Sequence, residues 1–91
     1  MKLEVVYTAR FQKSFKKISA ADQDLIVAVL ERLSAGERLE PKYRDHALKG
    51  KFKNCRDCYV RSDLVLVYQK RQEVLELVAV DIGKHSNSFK K

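Results

Sequence analysis

The chain has 91 residues, 45% of them hydrophobic and 34% charged, with a formal net charge of +7. That length supports one core, so residues 1–91 are read as a single domain, and the mixture excludes a disordered chain. No apolar run reaches the roughly 18 residues of a membrane span. The opening "MKLEVVYTAR" lacks the apolar stretch and small-residue cleavage site of a signal peptide. Two cysteines without an export signal point to reduced thiols, so a cytoplasmic protein with no membrane partner is expected.

The first element, Leu3 to Tyr7, is rich in Val and Tyr and reads as a short strand. Thr8 is a helix cap, and Phe11, Phe15 and Ile18 follow at helical spacing as one apolar stripe. Ser19 with Asp22 resembles a capping box and opens a second helix, whose apolar face is Leu25, Ile26, Val29, Leu30 and Leu33. Gly36 ends it. So short a connection makes the two helices a hairpin, and neither stripe is stable without a sheet to cover it.

Glu37 to Lys53 carries Pro41 and Gly50 and has little periodicity, so it reads as a loop with one short helical turn. Long irregular loops in small domains often carry function. Strands follow at Arg56 to Val60, Leu64 to Gln69 and Val74 to Ile82, separated by "RSD" and "KRQE". "LVLVY" is apolar on both faces, as in a central strand. Adjacency makes these three an antiparallel meander. The expected architecture is α+β: an N-terminal strand and two-helix hairpin packed on a twisted antiparallel sheet.

Chemistry-bearing residues gather between Asp45 and Asp63, "DHALKGKFKNCRDCYVRSD". From Lys42 to Arg61 there are seven cations and two acids, a net +5 of the chain's +7. Tyr43, Phe52 and Tyr59 are interleaved with them. Cations for phosphates and rings for stacked bases are what a single-stranded RNA surface needs. Lys49, Lys51, Lys53, Arg56 and Tyr59 are the candidate RNA-binding residues. The plain alternative is a solubilising loop.

Two further readings compete. "CRDC" is a C-x-x-C, and His46 and His85 could complete a four-ligand zinc set with Cys55 and Cys58. Strand alternation opposes this by sending the two thiols to opposite faces, which favours two reduced thiols and no metal. The same alternation puts Asp57, Tyr59 and Arg61 together on a face expected to be open. His46 and His85 lie on no apolar stripe, and histidine is the usual proton shuttle. Two histidines, Asp57, Asp63 and nearby cations could supply base, acid and phosphate clamp for RNA cleavage. Two incidental surface histidines remain the bland alternative.

"DHALKG", "RDCYVRSDLVLVY" and "GKHSNSF" resemble, in order and spacing, the motifs of the YafQ branch of the RelE toxin superfamily. The resemblance covers the whole chain in layout and is most specific from Asp45 to Phe89. It implies a RelE-like fold and an endoribonuclease without a cofactor. Such toxins cut mRNA, typically in the ribosomal A site, and a cognate antitoxin neutralises them. It also implies a catalytic set of His46, Asp57, Asp63, His85 and Phe89. Tyr59 departs from the pattern, since close relatives often carry histidine there, and a tyrosine hydroxyl is a poor base at neutral pH. The rival functions are a non-catalytic basic RNA- or ribosome-binding module and the small zinc domain.

Overall fold

A computed structural model describes residues 2–50 and 54–84. Strand β1 is Glu4–Tyr7, helix α1 Ala9–Phe15 and helix α2 Ala20–Ser34. A 3₁₀ turn at Pro41–Tyr43 precedes a two-residue strand β2, His46–Ala47. Strands β3 (Arg56–Arg61), β4 (Leu64–Arg71) and β5 (Glu76–Lys84) complete the chain order, with a second 3₁₀ turn at Gln72–Val74.

Local chemistry sets these boundaries. The Thr8 hydroxyl accepts from the Phe11 amide at 3.0 Å, capping α1, and donates to the Val80 carbonyl at 2.7 Å, tying that cap to β5. Ser19 caps α2 by accepting from the Asp22 amide. At the other end of α2 the Gly36 amide donates to Leu33 and the Glu37 amide to Arg32. That paired pattern requires a left-handed residue, and Gly36 supplies it with φ +85°.

The strands form one sheet in the order β1-β5-β4-β3-β2. The expected meander is present as β3-β4-β5, antiparallel throughout. Its margins add two features. β1 joins in parallel beside β5, and β2 pairs antiparallel with β3. The sequence had left β2 inside a loop, because two residues carry no alternation to read.

Cys58, Leu66, Tyr68, Leu77 and Ile82 of the sheet pack with Phe11, Ile26, Leu30 and Leu33 of the helices. Val65 and Val67 are equally buried but lie outside that cluster, so the central strand is enclosed on both faces as its composition predicts. A bulge opposite Val67 and Tyr68 passes over Val80 and turns Asp81 inward. Asp81 is 3% exposed and is met by Arg10 Nε at 2.9 Å, the Ser14 hydroxyl at 3.2 Å and the Ile82 amide at 2.8 Å. This carboxylate locks α1 onto β5.

Two expectations need correction. Leu25, assigned to the buried stripe of α2, is 44% exposed, because that stripe is narrower than its hydrophobicity implies and centres on Ile26, Leu30 and Leu33. Asp57 does not stand on an open face. It is only 6% exposed, and the β2 segment brings the His46 ring against it.

Candidate functional site

β2 and β3 pair His46 with Asp57 in register, so their side chains share one face of the sheet. His46 Nε2 lies 3.0 Å from Asp57 Oδ1. On its other side, the Arg44 carbonyl accepts from Nδ1 at 2.7 Å. A carbonyl can only accept, so Nδ1 carries a proton and Nε2 is the nitrogen left to exchange one. The ring is held at Nδ1 and stands beside the Asp57 carboxylate at Nε2, while its side chain remains about half exposed.

The backbone around His46 is built for this. Arg44 ends the 3₁₀ turn in the left-handed region, φ 51° and ψ 41°. A residue with a Cβ is disfavoured there by about 1 kcal/mol or more. The conformation directs the Arg44 carbonyl at the histidine. Its guanidinium rests over the Tyr59 ring, 5.7 Å from the centroid.

Asp45 anchors the same segment to the core. One oxygen, Oδ1, accepts from the buried Tyr68 hydroxyl at 2.7 Å and from Arg56 Nε at 3.0 Å. Burial, reinforced by Asp45, pushes the Tyr68 phenol well above its ordinary range, so it stays a donor. Arg56, a candidate phosphate ligand, is thus also a structural partner of Asp45, with its side chain 44% exposed.

Asp63 lies elsewhere. It is exposed, at the β3–β4 turn, with Lys84 Nζ 3.6 Å from its carboxylate. Asp57 is opposite Val67 and Arg61 is opposite Leu64, so Asp63 is displaced from Asp57 by roughly 13 Å along the strands. The structure therefore brings together His46 and Asp57, with Tyr59 on the same face of β3 and Arg56 on the other, and not His46 with Asp63. Lys49 is exposed beyond β2. Lys51, Lys53, His85 and Phe89 lie outside the described residues.

Cys55 precedes β3 and Cys58 lies within it. Cys58 is fully buried in the helix-facing core, and burial, then Asp45 and Asp57, push its thiol up to about 12. Cys55 is partly buried, and burial raises its thiol too. Protonated thiols are poor nucleophiles and poor ligands. Cys58 and His46 also face opposite sides of β3, so one ion cannot take both. Among the described residues, no group of three or more His, Cys, Asp and Glu is arranged to hold a metal ion.

Sequence reasoning missed the parts that act through others. The Arg44 carbonyl carries no side-chain signal. Asp45 counted only as charge, and Tyr68 only as the end of an apolar run. The presence of aspartate before histidine in "DHALKG" was the available clue.

This small α+β frame is that of known bacterial toxins. A metal-bound toxin from Helicobacter pylori superposes with a TM-score of 0.86 at 36% identity, covering 96% of this chain and 99% of that one. The E. coli DinJ–YafQ complex has the same fold, with a TM-score of 0.80 at 22% identity over 98% and 100% of the two chains. A Haemophilus influenzae protein named as a YafQ toxin is 32% identical over 76 residues, 74% of this chain and 71% of its own length. Residues 3–90 match the family model described as the bacterial toxin of type II toxin–antitoxin system, YafQ. The chain belongs to the YafQ family of type II toxins. Among the described residues, no helix is long and apolar enough to cross a membrane.

Proposed function

We propose that the chain is an endoribonuclease toxin that cleaves mRNA on the ribosome, works through its own side chains, and is held in check by a cognate antitoxin. The observation that carries this is the His46 ring held by the Arg44 carbonyl with Asp57 at 3.0 Å from its other nitrogen, in a chain of the YafQ toxin family.

In the proposed reaction a 2′-oxygen attacks the adjacent phosphorus and the 5′-oxygen of the next nucleotide leaves. The products are a cyclic phosphate and a free 5′-hydroxyl. His46 Nε2 takes the 2′-hydroxyl proton while Nδ1–H stays on Arg44, and Asp57 stabilises the imidazolium that results. His85 is the general acid that protonates the leaving oxygen. Arg56, with Lys49, Lys51 and Lys53, neutralises the charge that builds on the phosphate. Phe89 and Tyr59 hold bases by stacking, and Asp63 steers groups at the far end of β3.

The antitoxin reading draws on the family and on the E. coli relative seen with DinJ. Its partner segment is expected to be acidic or amphipathic and to cover the basic face.

Primer extension on a reporter mRNA in a translating cell-free system tests the function. Wild type is compared with His46→Ala and His85→Ala, with a zinc-selective chelator present. New cuts within the reading frame, lost in both variants, are expected. A folded wild type that leaves the message intact overturns the enzymatic reading in favour of a binding module. Loss of structure on chelation favours the zinc domain.

A further inference from the structure

At Arg44, whose carbonyl holds His46, the surface opens into a cleft of about 520 Å³, between α2, the 3₁₀ turn and the end of β3. The volume lies within the ~300–1,000 Å³ of small-ligand sites. Its existence follows from the short β2. Pairing on that side of β3 stops at His46 and Asp57. The preceding residues veer away through the left-handed Arg44, leaving space along Tyr59 to Ser62.

The lining is specific in character. Tyr43 and Tyr59 contribute half-buried rings, Lys42, Arg44 and Arg61 contribute cations, and among the described residues no acid lines the cleft. Leu25, exposed against expectation, forms its apolar wall from α2. Acids close in sequence or contact to the lining are engaged: Asp22 holds Arg61 at 2.8 Å, and Asp45 and Asp63, next to Arg44 and Ser62 in the chain, hold Arg56 at 3.0 Å and Lys84 at 3.6 Å. Cations already sit over both rings, with Arg44 on Tyr59 and Lys42 on Tyr43. Planar guanidinium and aromatic faces beside a compact positive field suit an unstacked base carrying a phosphate.

We infer that this cleft is a subsite for one unstacked nucleotide of single-stranded RNA, next to the phosphate served by His46, with Arg44, Tyr43 and Tyr59 as the residues that grip the base. The inference rests on the ribonuclease reading and adds a base-binding role to it. Arg44 links the two places, since its carbonyl holds His46 and its side chain enters the cleft.

The test is equilibrium binding by fluorescence anisotropy. The probe is an end-labelled single-stranded oligoribonucleotide, 2′-O-methylated throughout so that it cannot be cut, with an abasic site moved along it one position at a time. Proteins are wild type, Tyr59→Leu and Arg44→Gly, the glycine retaining the left-handed backbone. For wild type, one abasic position is expected to weaken binding about tenfold, the others little. Both variants should bind the intact probe more weakly and lose that position-specific penalty. Equal sensitivity at every position, or no binding of the probe at all, overturns the subsite. So does a variant that weakens antitoxin binding alone, which would assign the cleft to that partner. A position-specific penalty in a protein that cuts nothing sustains the subsite while the ribonuclease reading falls. Cleavage without such a penalty does the reverse.

Discussion

Replacing Tyr68 with phenylalanine removes one oxygen from the centre of the sheet and tests how the core supports the site. The ring is fully buried, so the substitution leaves its packing unchanged. What is lost is the 2.7 Å hydrogen bond to Asp45 Oδ1. A bond to a charged group contributes about 1.5–3 kcal/mol. Asp45 keeps Arg56 and some access to water, so the low end applies: about 1.5 kcal/mol, or roughly 6–12 °C in Tm for a domain of this size. The pH dependence supplies a second check. The phenol ionises less readily folded than unfolded, because burial and Asp45 raise it. The stability it adds is therefore complete below its unfolded pKa near 10 and is lost as pH rises above that. Urea unfolding of wild type and Tyr68→Phe from pH 7 to 11 should show a gap that holds to about pH 10 and then closes. A double-mutant cycle with Asp45→Ala should return a coupling of about 1 kcal/mol. A gap within experimental error at neutral pH, or no coupling to Asp45, would refute the proposed anchor.

Asp81→Ala strips a buried carboxylate from Arg10, Ser14 and the Ile82 amide and should cost about 2–3 kcal/mol in urea unfolding. The Cys58 thiol should resist alkylation until the protein unfolds. Its stabilising preference for the protonated form is complete below its unfolded value near 9 and fades as pH rises towards 12. The advantage of wild type over Cys58→Ala should thus shrink by up to ~1.4 kcal/mol per pH unit across that window. Leu75 is half exposed with φ +56°, so Leu75→Gly should raise stability by about 0.5 kcal/mol in thermal melts. Truncation from Phe89 onward should abolish reporter cleavage with the melting curve unchanged. A shortened protein that cuts at the wild-type rate would exclude the tail from the site.

The elements with regular spacing were legible. Helical periodicity placed α1 and α2 with their caps at Thr8 and Ser19, and unbroken apolarity identified β4 as central. What was not legible depends on neighbours distant in sequence. Nothing in "EVVY" tells a strand that it will lie parallel to one some seventy residues later. The inward turn of Asp81 comes from a bulge, and sequence alternation assumes there is none. At the site, His46 and Asp57 were both readable as candidates, but their pairing required β2. Asp63 was grouped with them on chemistry and on the family resemblance, and the sheet register sets it apart from His46.

The parallel pairing of β1 with β5 also bears on how the protein is made. β5 lies between β1 and β4, yet ribosomes synthesise it after both. Glu4 pairs with Glu76, so β1 is made 72 residues before its neighbour exists. At ~5–20 residues per second this is a wait of roughly 4–14 s. During that interval neither the helix hairpin nor β4 has its full covering, and Thr8 has no Val80 to hold. The framework of this YafQ-family toxin fold closes only once β5 has been made, so the nascent chain stays short of it until then.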